Sequence, residues 1–186
     1  YDPRDLFAGL PQGSRIAVSG LSDETFARWL RPDVEVECFE TRADDVFARL
    51  RESSLDAMIA DESELQGEVL PACPHRFLQE PWLSEPGQGA SIVVASREDE
   101  ELTVLLKALE HRNSRIEIES EIRLQNICRM ESLHVLRARA RCEGDRLGLR
   151  AVLLAVDLSW TVEAQRQGEV TRSGASRLAR QVARDL

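Results

Sequence analysis

Apolar and polar residues alternate with two periods along this chain, and the switches between them mark its elements. Arg15–Ser19 is a short buried run ending at Gly20, read as a strand. Ser22 is placed to cap a helix running to about Leu30, with Asp23 and Glu24 in its first turn, where negative charge suits the macrodipole. Arg31-Pro32-Asp33 stops it, and Val34, Val36 and Cys38 then alternate with Glu35 and Glu37, the period of a half-buried strand. A helix over about Ala43–Arg51 offers Val46, Phe47 and Leu50 to a core, and Ala57–Ala60 returns as a strand. Strand, helix, strand, helix, strand predicts a parallel sheet with helices on both faces.

The second half reads differently. Gln66–Pro86 is proline-broken and irregular, Ser91–Ala95 is expected to be a strand, and Glu98–His111 a helix with Leu102, Leu105, Leu106 and Leu109 on one face. Ser114–Met130 carries both periods, and the helical one is preferred. From His134 a strand leads through a Gly144-Asp145 turn into Leu147–Val156, Ser159–Arg166 follows as a third strand, and Gly174–Leu186 closes as an amphipathic helix. The fold class is therefore α/β: a parallel-sheet domain over 1–86, a hinge strand with helices over 87–131, and a small α+β domain over 132–186.

Composition narrows the function. In 186 residues with a net charge of −9 there is no basic surface of the kind that phosphate binding requires, which argues against nucleic acid. No run approaches the ~18 apolar residues of a membrane helix, so no membrane insertion is expected. The chain starts at Tyr1 rather than Met and is expected to be part of a longer product. Its four cysteines form no Cys-x-x-Cys pair, which predicts reduced thiols, a cytoplasmic location and no zinc ribbon. Cys73-Pro74-His75 offers two metal ligands without a second pair, so no metal is expected. Arg137, Arg139 and Arg141 share one strand face, read as solvated. His111 and His134 have no carboxylate or nucleophile partner in sequence and receive no role.

Pro86-Gly87-Gln88-Gly89-Ala90 stands before the apolar run Ser91–Ala95. Two glycines around a glutamine at the mouth of a strand permit a sharp turn or a close backbone approach. With its flanks this resembles the hinge motif of the hydroxymethylbilane synthase (porphobilinogen deaminase) family, Leu-Pro-x-x-Gly-Gln-Gly-Ala. Tyr1-Asp2-Pro3-Arg4-Asp5-Leu6, Arg31-Pro32-Asp33, Arg49-Leu50, Leu55–Ile59 and Leu149-Arg150-Ala151 fall in the family's order. The resemblance implies an enzyme fold that links four porphobilinogens into a linear tetrapyrrole. It covers the family's second and third domains with a return segment of the first, centred on the hinge residues Gly87, Gln88 and Gly89.

The departures from the family's pattern carry the functional expectation. Its Gly-Thr-Ser-Ser-Leu-Arg-Arg run, whose arginines hold carboxylates, aligns with Ala17–Asp23, so a hydroxyl and an anion replace two cations. The cysteine carrying its dipyrromethane aligns with Ser132; Cys128, four residues earlier, reaches that place only through a gap. Its catalytic aspartate motif, Ser-Met-Lys-Asp-Val-Pro, is absent from the sequence. Arg42 and Arg49 fall at substrate-binding positions, beside a plainer reading as surface arginines lying over Phe47. The expectation is a catalytically inactive relative without dipyrromethane, completed by a protein partner or a missing N-terminal domain. A hinged module for another small ligand and a structural or regulatory subunit stand as alternatives.

Overall fold

The computed structural model describes residues 10–39, 48, 50, 52, 54–61, 78, 80–96, 98–128 and 133–186. The chain divides into two compact units, Tyr1–Leu83 with Leu154–Trp160, and Ser84–Leu153 with Thr161–Leu186.

In the first unit, strands β1 (Arg15–Val18), β2 (Glu35–Cys38) and β3 (Ala57–Ile59) form a sheet of order β2-β1-β3. Both pairings are parallel, with Ile16 opposite Val36 on one side and Ala57 on the other. Ile16, Ala17 and Val18 are fully buried, as a central parallel strand covered on both faces must be. Helix α1 (Leu21–Leu30) buries Phe26, Ala27 and Leu30. Phe26 meets Trp82 edge to face at 5.2 Å. The helix starts two residues earlier than a Ser22 cap requires: Gly20 is the cap, extended and without a side-chain hydrogen bond. Asp23 instead accepts the Ser19 hydroxyl at 3.2 Å. Arg31 ends the helix with a two-pronged bond to Asp33 at 2.6 and 2.8 Å, and reaches Leu10 O at 3.4 Å. The expected Ala43–Arg51 helix lies largely outside the described residues, although Ala48 and Leu50 are helical.

The second sheet, of order β4 (His134–Glu143), β5 (Arg146–Ala155) and β6 (Thr161–Glu169), belongs to the second unit except for the last two residues of β5. Gly144-Asp145 is a two-residue turn with Gly144 at φ +58°, as a II′ hairpin demands of its first central residue. Helices α3 (Arg112–Cys128) and α4 (Arg172–Asp185) cover one face. Ala138, Ala140, Leu147, Leu149, Ala151 and Ala164 pack there against Ile116, Leu124, Leu178 and Val182. A Cβ on Gly168 of β6 would lie 3.6 Å from Leu178 Cβ, so the helix rides close over the strand. Each fully buried leucine of this core contributes about 2–3 kcal/mol.

Ser91–Ala95 corrects the expected hinge strand. It is irregular and pairs with no strand among the described residues. Ile92, Val93 and Val94 are 79%, 67% and 84% exposed. Strand propensity alone does not make a strand, because the ladder needs a neighbour to receive it. The helix expected over Glu98–His111 is shorter: α2 (Glu100–Lys107) is capped by Asp99, whose carboxylate accepts Leu102 N–H at 2.8 Å, and it buries none of its residues. His111 then caps α3, its Nδ1 accepting Ser114 N–H at 3.3 Å.

Candidate functional site

The hinge residues Gly87, Gln88 and Gly89 form a tight turn before the exposed segment, built by main-chain needs. Gly87 and Gly89 stand at φ +81° and +79°, the left-handed region that disfavours any side chain. Gln88 N–H donates to Glu85 O at 3.0 Å, and Ala90 N–H to Gly87 O at 3.3 Å. The Gln88 side chain folds back, its Oε1 accepting Glu85 N–H at 2.9 Å.

Glu121 of α3 anchors this turn. One carboxylate oxygen accepts Gly87 N–H at 2.9 Å and the other Ala140 N–H of β4 at 2.7 Å. Strand β4 is the sheet edge, and its outward N–H groups need acceptors. Ser84 O takes Ala138 N–H at 3.1 Å, Glu121 takes Ala140, and Glu117 takes Cys142 at 2.7 Å. Glutamates four apart on a helix rise ~6 Å, and amides two apart on a strand ~6.8 Å, so one helix face serves successive edge amides. Glu121 is only 5% exposed. Burial pushes its carboxyl up, against the pull of the Ala140 and Gly87 amides and of Arg139, while Glu117 adds a further push.

The structure places the sequence-derived candidates unevenly. Ser132, Arg42 and Arg49 lie outside the described residues, as do Cys73 and His75. Cys128 closes α3, half-buried against the core of its unit. Burial pushes its thiol up, the direction opposite to an activated nucleophile. Arg137 is fully buried whereas Arg141 is exposed, so their strand face is solvated only toward its hairpin end. At the helix N-terminus after Ser19-Gly20, Asp23 and Glu24 occupy the first turn of α1, which suits capping rather than an anion. No cluster of metal-ligating side chains occurs among the described residues, and no helix among them is long and apolar enough to cross a membrane.

Glu121 itself was hidden in the sequence. The signal was a carboxylate flanking the Ile116, Ser120, Leu124 stripe, one residue off the apolar line of a helix facing an edge strand.

No family model matches the sequence. Curated relatives do. A porphobilinogen deaminase of Xanthomonas axonopodis pv. citri is 31% identical over 195 residues, covering 100% of this chain and 63% of its own length. One from Caulobacter vibrioides is 28% identical over 196 residues, covering 96% of this chain and 57% of its own. Along its whole length the chain is similar to these porphobilinogen deaminases. It spans about three-fifths of the length of these porphobilinogen deaminases. The Xanthomonas match is longer than the chain itself, so it opens gaps in it, and the ungapped register that brings Ser132 to the attachment position is one choice among several.

Proposed function

We propose that the chain is a porphobilinogen deaminase-like protein that does not polymerise porphobilinogen by itself and works with a partner or with a further domain of its own protein. The observation that carries the first half is the α1 N-terminus. Where the family sets paired arginines, Ser22 and Asp23 open the helix, and Asp23 is already occupied by the Ser19 hydroxyl. Losing two charge-assisted contacts and adding an anion removes several kcal/mol of polycarboxylate binding, at about 1.5–3 kcal/mol per charged bond. Turnover requires about 8–23 kcal/mol of transition-state stabilisation, for which the sequence offers no catalytic aspartate motif.

The second half rests on segment 91–96 and α2. Consecutive exposed branched residues at Ile92, Val93 and Val94 point to both sides of any strand they would form, which suits the covered interior of a sheet. Val104, Leu105 and Leu109 behind them are exposed as well.

Incubating the purified chain with porphobilinogen and following bilane formation tests the first half; robust turnover would refute it. Intact mass is expected to show no dipyrromethane, and an adduct on Cys128 would restore the family's attachment chemistry. Sedimentation of the native protein is expected to give a species larger than 20.9 kDa, and a stable monomer of that mass would remove the partner.

A further inference from the structure

We propose that Glu121 is a proton-operated latch at the root of segment 91–96: ionised, it holds the hinge turn to β4, and protonated, it lets go of one of its two amides. The geometry assigns this role. Two amides from segments far apart in sequence each donate to a separate oxygen of one carboxylate. A carboxylate accepts at both oxygens, but a carboxylic acid keeps only one good acceptor, because its hydroxyl is itself a donor and would face an N–H. Taking a proton from solvent therefore breaks the bridge on one side.

The other groups around Glu121 do not substitute for it. Arg139 of β4 favours the anion, and Glu117, one turn earlier on α3, opposes it. From α4, Arg172 approaches Glu119 at 3.7 Å. In the turn, the main-chain N–H of Glu85 donates to Gln88 Oε1 at 2.9 Å. His134 is six residues along β4 from Ala140, about 20 Å away at strand rise.

Burial favours the neutral form, whereas the amides favour the anion, so the site is held between two states. The sign of the linkage follows. A carboxyl raised in the folded state costs stability when ionised, and that cost disappears as pH falls through its folded value. Acid therefore opens the turn locally without weakening the unit through this group. The opened turn no longer fixes the direction in which the apolar segment 91–96 leaves it.

Amide hydrogen exchange of the full chain, corrected for intrinsic rates, tests this between about pH 7.5 and about pH 5. Protection at one of the pair Gly87 and Ala140 is expected to fall by about tenfold as pH drops, while the other keeps its acceptor. Ala138, whose acceptor is the Ser84 carbonyl, is expected to stay level. In Glu121→Gln, which cannot titrate and offers one acceptor oxygen, one of the two amides should show the low protection at either pH. Level protection at Gly87 and Ala140 in the wild type overturns the latch, as does Ala138 falling in step, which would mean general fraying of the edge. Retained pH dependence in Glu121→Gln overturns it too. If that variant does not fold, the wild-type comparison with Ala138 decides alone.

Discussion

Replacing Gly174 by alanine sets two physical rules against each other. Gly174 lies in the first turn of α4, where helix propensity alone makes alanine more stable by about 1 kcal/mol. A Cβ there, however, would stand 2.3 Å from Glu169 O and 2.9 Å from Thr171 Oγ1. Neither neighbour yields easily. Glu169 O accepts Thr171 N–H at 2.8 Å, and Thr171 Oγ1 caps the helix by accepting Gly174 N–H at 2.9 Å. Relief requires lifting the helix start, at a cost of about 1 kcal/mol for the cap and about 1–3 kcal/mol for overpacking. The net expectation for Gly174→Ala is a loss of about 2 kcal/mol, or about 4–8 °C in melting temperature for a chain of this size. Urea titration with circular dichroism measures it. Arg180→Gly against Arg180→Ala, at an exposed position of the same helix, calibrates propensity in place. A Gly174→Ala chain as stable as wild type, or more so, would refute the reasoning and show that the Glu169 carbonyl moves freely.

Gly87→Ala and Gly89→Ala are each expected to cost about 1–2 kcal/mol, because both need positive φ. The 2.8 Å approach to Ile122 Cδ1 at Gly87 adds little, since that methyl ends a partly exposed side chain that can turn away; a Gly87 cost more than about 1 kcal/mol above that of Gly89 would show that Ile122 is held. Burial, with Glu117 adding to it, pushes the Cys142 thiol up to about 11. Its alkylation by iodoacetamide should therefore rise about tenfold per pH unit until that range, because only the thiolate reacts, and a plateau near the ordinary thiol value of about 8.5 would contradict it.

Local pattern settled a good part of this protein. The βαβ alternation from Arg15 to Ile59 was enough for a parallel sheet, because period and chain direction constrain how such strands can return. Gly144-Asp145 was enough for a hairpin, and the stripe through Leu178 and Val182 for a helix lying on a sheet. The Gly-Gln-Gly-Ala turn led to the family that the relatives bear out. What periodicity carries is the face a residue presents, and it says nothing of the partner on that face. Ser91–Ala95 has the residues of a strand, yet no strand among those described receives its ladder. Gly20 rather than Ser22 caps α1, since the cap is set by where the backbone turns. Glu121 looked like any charged helix residue until folding brought it against amides 34 and 19 residues away. A carboxylate's role depends on which donors surround it and how much water is excluded, and both are decided by tertiary structure alone.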